Sequence, residues 1–384
     1  MKSLLTTLAL LGGVSSAFAQ LIIPSDGSDG TFSPAANIEV DLSQAVTGTW
    51  TDDNTANTGK GIYDATKWAI VFKYASVNIP AGVTVTFKNH PSHAPVVWLV
   101  QGGVTIAGTV SVNGKSGVGG TEAIYPSEPG PGGFRGAASG QAGWGAGLGL
   151  GGGGAGVYNT TYGNPQILPL IGGSGGQGNS APLPYSGAGG GGAILIAAPG
   201  TIELMGRITA LFDTGGSVYV YSGSGGAVKL IANHVTGTGS LDAAATGRTR
   251  IEANTLSPTV LSNPITIAVA PGTAPTIFQS NNSPTVKIVS VDGTAAPADP
   301  TAPLINSADI AIQKNTPVTI VLETRNFATA GAVVAVRIAN KFSIPATTVN
   351  ATLDSGGTSV LSTWRVSTTL APGFVTLQAR ATAP

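Results

Sequence analysis

The sequence predicts an all-β protein: a right-handed parallel β-helix with a glycine-rich excursion, followed by a small β-sandwich. Two observations carry this prediction. Apolar or β-branched residues alternate with polar ones over short runs, and 56 glycines and 25 prolines in 384 residues separate these runs with turns. A unit of three short strands also recurs along the chain, which is typical of a stacked, solenoid-like fold. An antiparallel sandwich would show the same alternation, so that alternative stays open.

Residues 1–19 have the pattern of a secretory signal peptide. Lys2 supplies the positive start, Leu4–Val14 form an apolar run, and Ala17-Phe18-Ala19 match the small-x-small cleavage pattern. The run is too short to span a bilayer, and no other segment reaches the ~18 apolar residues of a membrane helix. We therefore predict a mature chain that begins near Gln20 and is secreted, periplasmic or at the cell surface.

Charge and cysteine content exclude several classes of protein. Eighteen basic and eighteen acidic residues give a formal net charge of zero, so the chain lacks the basic surface that binds nucleic acid. It contains no cysteine, which excludes disulfide scaffolds, thiol nucleophiles and thiolate metal sites. Packing and backbone hydrogen bonds must supply the stability of the fold.

The predicted β-helix domain spans residues 20–257. Val83–Phe87, Val96–Val100 and Val104–Val112 alternate with the period of two that strands require. Residues 116–192 interrupt the pattern, since they hold half of the glycines and few charges. This glycine-rich zone is predicted to be mostly loop, an excursion between successive turns of the helix.

An internal repeat sets the predicted strand register. When Gly108, Gly206 and Gly239 are aligned, equivalent apolar residues fall into three columns. The columns are Val97–Leu195–Val228, Val104–Ile202–Val235 and Val110–Ile208–Leu241. Stacking of the units would bring each column into a ladder and close a continuous interior. Trp50, Trp68 and neighbouring strands are expected to cover the first turn.

Several stretches resemble glycine-rich exported bacterial proteins with a predicted right-handed parallel β-helix, a largely uncharacterised group. The stretches are NIPAGVTVTFKN, APVVWLVQGGVTIAGTVSVNG, PGPGGFRG, YGNPQILPLIGGSGG and GGGGAILIAAPGTIELMGRITA. The resemblance covers roughly residues 22–257 and implies location and architecture without an activity. The broader superfold resembles that of pectate lyases and polygalacturonases, but a fold alone does not define a function.

The remaining sequence divides into two parts. Residues 258–303 are predicted to be a proline-rich connector that limits contacts across the boundary, and residues 304–384 alternate cleanly between turns. This last part resembles an immunoglobulin- or fibronectin-like sandwich of the kind found on exported bacterial proteins. Because it is short for such a module, a strand from the connector, Val286–Val291, is expected to join it.

Four residues are candidates for catalysis on a polysaccharide. Lyases need a base beside a charge-neutralising cation, and glycosidases need two facing carboxyl groups. Asp213, Asp242, Lys229 and Arg248 supply these groups. The repeat aligns Asp242 with Thr209, which leaves Asp213 four positions out of register. Turn capping by the aspartates and solvent-facing strand charges are the simpler interpretation.

Metal sites have weak support in the sequence. His90 and His93 have a spacing that could begin a zinc or copper site, but Pro91 predicts a turn from which both rings point outward. Asp26 and Asp29, in an Asp-Gly-Ser-Asp-Gly stretch, could hold calcium, yet Asp-Gly pairs are ordinary turn formers. We therefore predict no cofactor, with calcium as the alternative.

Aromatic residues in the glycine-rich zone are the candidate ligand-binding residues, because aromatic rings stack on sugars and on other proteins. They are Phe134, Trp144, Tyr158, Tyr162 and Tyr185. Alternatively, these rings and the apolar run Ile167–Ile171 anchor the excursion to the helix.

The predicted function is that of an exported structural or adhesive protein without catalysis, which contacts a polysaccharide or another cell-surface component. Three histidines, no thiol and no register-matched carboxylate pair leave little acid–base machinery. The alternatives are a polysaccharide lyase or glycoside hydrolase, and a non-catalytic carbohydrate-binding protein.

Overall fold

The structure is a computed structural model that describes residues 21–117, 119, 127–140, 143–144, 147–150, 162–178, 185–213, 222–257, 260–264, 266–297, 309–339, 346–357, 360–373 and 375–383. The predicted signal peptide and Tyr158 lie outside the described residues. Strands account for 42% of the described residues and helix for 2%, so the predicted all-β class is confirmed. The helical part consists of two single-turn 3-10 helices, Leu42–Gln44 and Thr55–Asn57.

The strands are short and follow one another closely. Before the glycine-rich zone they are β1 Thr31–Phe32, β2 Ile38–Asp41, β3 Val46–Thr47, β4 Ile62–Asp64, β5 Ala69–Tyr74, β6 Ser76–Ile79, β7 Thr84–Lys88, β8 Val96–Val100, β9 Val104–Ile106 and β10 Thr109–Ser111. Within and after the zone they are β11 Ser139–Gly140, β12 Gly143–Trp144, β13 Ala193–Ala197, β14 Thr201–Leu204, β15 Arg207–Thr209, β16 Ala227–Thr236, β17 Ser240–Asp242, β18 Arg248–Leu256, β19 Leu261–Asn263 and β20 Ile267–Val269. The C-terminal strands are β21 Thr285–Val291, β22 Thr294–Ala295, β23 Val318–Arg325, β24 Val333–Ala339, β25 Thr347–Asn350, β26 Thr352–Ser355, β27 Leu361–Thr368 and β28 Thr376–Thr382.

Strands β1–β10 and β13–β20 form two sheets. Sheet I has twelve strands in the order β1-β6-β9-β14-β16-β13-β8-β5-β4-β3, with β18 and β20 continuing from β16, and it curls into a half-barrel. Sheet II has six strands in the order β19-β17-β15-β10-β7-β2. The described strand pairs in both sheets are parallel except β4 with β5, so sheet I is mixed.

Two of the three predicted columns are confirmed by the strand pairing. They are Val104–Ile202–Val235 in sheet I and Val110–Ile208–Leu241 in sheet II. All six side chains are buried in one interior cluster between the sheets. Glycine positions in the sequence therefore set the register correctly at both places.

The third column is wrong by one residue at its last member. Leu195 pairs with Val97 as predicted, but its partner in β16 is Lys229 rather than Val228. A turn separates β13 from β14, whereas β16 is one continuous strand that pairs with both. The unit that contains β16 is therefore one residue shorter than the unit that contains β13 and β14. A shift of one residue moves a side chain to the opposite face of a strand. Val228 therefore faces the interior.

A second apolar cluster covers the outer face of sheet I. It joins strand residues to the glycine-rich zone and to the connector through Val71, Leu99, Leu195, Ile167, Leu170 and Ile277. The anchoring role predicted for the run 167–171 is thus confirmed for Ile167 and Leu170. Burial of these side chains removes apolar surface from water and fixes both covering segments on the sheet.

The connector makes more contacts than the sequence predicted. Ile277 is 7% exposed, and the Phe278 ring lies 5.1 Å from that of Trp50. The Ile22 amide also donates to the Thr273 carbonyl oxygen at 2.9 Å. Residues 273–278 therefore pack on sheet I, which the sequence did not predict. Apolar residues among the prolines explain the difference, because they bury against sheet I.

The C-terminal residues form two antiparallel sheets that share one apolar cluster. Sheet III has the order β22-β21-β23-β27-β26, and sheet IV has the order β25-β24-β28. Ile320, Val336 and Trp364 are buried between them. β21 pairs with β23, which confirms that the strand predicted at 286–291 joins this part of the chain.

Candidate functional site

Three charged side chains meet on the outer face of sheet I, where β16 and β18 pair. Lys229 lies opposite Arg250, and its Nζ is 3.1 Å from Oε1 of Glu252. The Nε of Arg250 is 2.7 Å from the same carboxylate oxygen. Lys229 is 1% exposed, because the chain around Gln166 and Thr276 covers it and both carbonyl oxygens accept from its Nζ. The cluster is sealed beneath these two segments.

The electrostatics of this cluster favour a structural role. Burial lowers the pKa of Lys229, while the neighbouring Glu252 carboxylate opposes that shift. A lysine with a lowered pKa can serve as a base or nucleophile when a substrate reaches it. Here the ammonium already has one carboxylate and two carbonyl acceptors, so its hydrogen-bonding capacity is used within the protein.

Arg248 and Tyr162 form a second contact on the same face. The guanidinium carbon of Arg248 lies 5.3 Å from the centre of the Tyr162 ring, and its Nη2 donates to the Ile171 carbonyl oxygen at 2.5 Å. The Tyr162 hydroxyl donates to the Gly172 carbonyl oxygen. Burial raises the pKa of Tyr162 to about 12, although Ser174 and the charge of Arg248 oppose the shift. This cation–π pair holds the glycine-rich zone against sheet I.

The four candidate catalytic residues do not converge. Lys229 and Arg248 lie on the outer face of sheet I, whereas Asp242 lies on β17 of sheet II. Asp242 pairs in register with Thr209 as predicted, accepts from the Ala244 amide at 3.1 Å, and thus caps a turn. Asp213 is exposed beyond the end of β15. The arrangement separates Asp242 from Lys229 and Arg248, and the cation beside Asp242 is Arg207, whose Nη2 lies 3.6 Å from Oδ2 of Asp242.

The two histidines of the 90–93 turn differ in exposure. His90 is half-buried, with its ring 4.3 Å from that of Tyr63 and its Nδ1 2.8 Å from Ser92 Oγ. His93 is 1% exposed, and its Nε2 is 3.8 Å from Oε2 of Glu128. The expectation that both rings point outward is wrong for His93. Its amide donates to the His90 carbonyl oxygen and closes a turn, which returns the chain beneath the loop. Among the described residues no group of three or more His, Asp or Glu could hold a metal.

Asp26 and Asp29 bind donors of the chain itself. Asp29 is 2% exposed and accepts from the side chain of Asn54 and from the amides of Gly59, Gly61 and Lys73. Burial raises the pKa of Asp29, while these donors oppose the shift. Asp26 Oδ2 lies 2.7 Å from Nζ of Lys73, which is also buried. A calcium ion would have to displace these donors, and the two carboxylates instead join the first strands to one another.

The candidate aromatic residues lie in different surroundings. Tyr162 faces inward beneath Arg248, and Tyr185 packs on Gly119. The backbone of Trp144 pairs with Ser139 in the small β11–β12 ribbon. Phe134 lines a cavity of about 820 Å³ between the glycine-rich zone and the C-terminal sheets.

Aliphatic side chains form most of the cavity walls. They include Leu148 and Leu150 on one side and Ile288, Ile310, Ile312 and Leu377 on the other. The volume falls within the range of roughly 300–1,000 Å³ that ligand pockets occupy. Its walls belong to the contact between two parts of the same chain, where Arg135 Nη2 lies 3.1 Å from Asp309 Oδ1 and the Gln378 side chain donates to the Gly149 carbonyl oxygen.

Sequence reasoning missed two features of these sites. Strand charges were expected to face solvent, but Glu252 on β18 pairs with the buried Lys229, which the one-residue shift in β16 places on the outer face. The cavity was also missed, because its walls come from segments far apart in the sequence. The alternation of β16 could have located Lys229, had the absence of a turn within that strand been recognised.

The search for known relatives adds no constraint. Comparisons with family models, with curated proteins and with solved structures give no match. In the part of the chain that the structure describes, none of the helices has the length and apolar content required to cross a membrane. The functional argument therefore rests on the geometry.

Proposed function

We propose that residues 20–257 wind as a right-handed parallel β-helix and that the protein serves as an exported structural or adhesive component without catalysis. The observation that carries the functional proposal is the separation of the candidate catalytic groups. Asp242 caps a turn on sheet II, while Lys229 is sealed on sheet I beneath two covering segments. Polysaccharide cleavage needs such groups on one accessible surface.

Strand pairing supports the helical winding. Strands β5, β6 and β7 pair in parallel with β8, β9 and β10, and these pair in turn with β13, β14 and β15. Repeated passage through the same three positions describes one turn of a solenoid for each three strands. Parallel crossover connections are right-handed in nearly all proteins, which favours that hand here. Sheets III and IV would form the following sandwich.

The predicted export favours a structural role outside the cell over a role inside it. The pattern at residues 1–19 is that of a secretory signal peptide, and the chain has no cysteine whose redox state would matter outside the cell. A polysaccharide or another cell-surface component is the proposed contact. Amino-terminal sequencing of the protein recovered from the culture medium and cell envelope tests export, and a start near Gln20 is expected.

Activity and binding assays on the mature chain separate the proposal from its alternatives. Pectins, alginates and neutral polysaccharides are incubated with the wild-type chain and with Asp242→Asn and Asp213→Asn variants, and the same proteins are applied to a glycan array and to isolated cell envelopes. We expect retention on envelopes or glycans without turnover. Turnover that disappears in Asp242→Asn, with unchanged thermal unfolding, would establish an enzyme. Absence of both turnover and binding would contradict the adhesive role.

A further inference from the structure

The glycine-rich zone contains many backbone hydrogen bonds but few strands. Three of its extended segments, 127–138, 172–178 and 185–192, lie side by side with residues 222–226, which follow β15 in the chain. No strand is assigned to residues 127–138, 172–178 or 186–192. Loops of this length would ordinarily leave most of their amides to water.

Segment 185–192 bonds to four different segments. The bonds are Gly190 N to Phe134 O (2.9 Å), Gly173 N to Gly191 O (2.6 Å), Gly191 N to Ser224 O (3.0 Å) and Gly189 N to Lys115 O (3.0 Å). A β-strand directs its polar groups toward two neighbours in the plane of the sheet. A polyproline-II helix has three residues per turn and no internal hydrogen bonds, so its amides and carbonyls point in several directions around the axis.

Glycine recurs with the period of that helix. After a turn that the Gly133 amide closes on the Gly130 carbonyl oxygen, Gly133 and Gly136 are three residues apart, and the stretch 172–178, GGSGGQG, places Ser174 and Gln177 at the same interval. A β-strand would repeat every second residue. The observed period of three matches one turn of polyproline II.

The glycines are required by space rather than by backbone angle. A Cβ placed on Gly136, Gly175, Gly187 or Gly190 would stand less than 3.0 Å from a backbone oxygen of a neighbouring segment. None of these four residues has a backbone in the left-handed region. The hydrogen in place of Cβ points at that carbonyl oxygen, a geometry that adds weak Cα–H···O contacts. The same crowding makes glycine obligatory at the axis of collagen.

We infer that segments 133–138, 172–178, 185–192 and 222–226 form a lattice of polyproline-II-type segments, and that this glycine lattice is the platform on which the C-terminal sheets dock. Neighbouring backbones bond to one another directly and replace the apolar core that the segments lack. Arg135, from the first segment, pairs with Asp309 of the C-terminal part. Gly149, which follows the lattice-bonded Leu148, accepts from Gln378 on β28.

Hydrogen–deuterium exchange on the mature wild-type chain tests the lattice directly. Peptides that cover 172–178 and 185–192 are expected to exchange as slowly as those of β8 and β13, because their amides are bonded and buried. The exposed residues 272–274 serve as the fast reference. Exchange of the glycine segments at the rate of that reference would overturn the inference.

Glycine variants test the packing, with matched controls in the same chain. Gly190→Ala is expected to speed exchange in 127–138 and 172–178 by roughly tenfold or more. The added methyl collides with the Gly173 carbonyl group, and the resulting shift of residue 190 breaks its hydrogen bonds with Phe134 and Gly130. Gly103→Ala and Gly200→Ala place the methyl in open space and should leave those rates unchanged. Equal effects of the three variants would overturn the inference. If Gly190→Ala fails to accumulate while both controls fold, the crowding at Gly190 is supported and the wild-type measurement decides the backbone conformation.

Discussion

The stacked strands and the glycine lattice lie side by side in one chain but depend on different interactions. Between the sheets, Trp98, Ile196 and Leu230 are completely buried, and the interior consists of apolar side chains. In the lattice, the buried residues are glycines and small polar residues such as Ser174 and Ser224. Removal of a methyl group from an interior side chain should therefore destabilise the stacked strands, whereas addition of a methyl group to a glycine should destabilise the lattice.

The largest expected effect is the difference in stability between a substitution in the interior and one on the surface of the stacked strands. Leu230→Ala should lower the free energy of unfolding by about 4 kcal/mol, because it leaves a cavity in a fully buried position. Leu261→Ala, at a leucine that is 67% exposed, should change it by less than about 0.5 kcal/mol. Urea unfolding of both variants measures the difference. Equal losses would show that the two sheets do not enclose the interior cluster.

The buried charges on sheet I should respond asymmetrically to mutation. Glu252→Gln leaves Lys229 and Arg250 close together without their shared carboxylate, and should cost about 3 kcal/mol. Lys229→Met keeps Glu252 paired with Arg250 and should cost about 1 kcal/mol, since an apolar side chain of similar length replaces a buried ion. Chemical unfolding at pH 7 measures both. The reverse order would contradict the geometry of the cluster.

The dependence of stability on alkaline pH provides a second test of the buried Lys229. Burial holds the pKa of Lys229 below its ordinary value, so the native state gives up this proton at lower pH than the unfolded state. Stability attributable to this group must then rise as pH increases between the native and the unfolded pKa. The Glu252 carboxylate opposes the lowering of the Lys229 pKa. Loss of this carboxylate therefore widens the interval between the native and the unfolded pKa of Lys229. We expect Glu252→Gln to recover stability relative to wild type between pH 7 and about 10, near the ordinary lysine pKa. A stability difference between Glu252→Gln and wild type that does not change with pH would contradict the placement of Lys229 as a buried ammonium beside Glu252.

Sequence alone predicts the strands better than the lattice for a physical reason. Alternation records which side chains face the interior, so the columns at Val104 and Val110 could be aligned from glycine positions. Val228 was misplaced because the missing turn in β16 has no marker in its composition. The lattice shows no alternation, and its signal is a spacing of three residues, as between Gly133 and Gly136, which differs from the period of two that marks a strand.

Site residues were predicted unevenly for the same reason. The placement of Asp242 opposite Thr209 followed from the repeat. The inward position of His93 depends on a loop, and the sequence period does not specify how a loop turns back on the fold. The separation of Lys229 from Asp242 likewise required the pairing of distant segments.

The connector should be held to sheet I by apolar contact. Ile277→Ala removes a side chain that is 7% exposed and should lower local stability by about 2 kcal/mol. Limited proteolysis is expected to cut residues 273–281 faster in this variant than in wild type, because cleavage follows local opening. Ile22→Ala is the control, since that side chain is 62% exposed beside the same segment. Rapid cleavage of the wild-type connector would instead show that residues 273–281 are not held on sheet I.

The smallest expected effect concerns the junction between the lattice and the C-terminal sheets. Arg135 is 4% exposed and Asp309 is 36% exposed, so solvent partly screens the pair. Because Arg135→Met also perturbs packing, the pair is measured by a double-mutant cycle with Asp309→Asn, in which those separate costs cancel. The coupling should be about 0.5–1 kcal/mol, the range for a partly exposed ion pair. It should also decrease in high salt, since the Asp309 side is open to counterions. A coupling of zero at low salt would mean that the lattice and the C-terminal sheets do not meet through this pair, and the docking platform would then lose its principal charged contact.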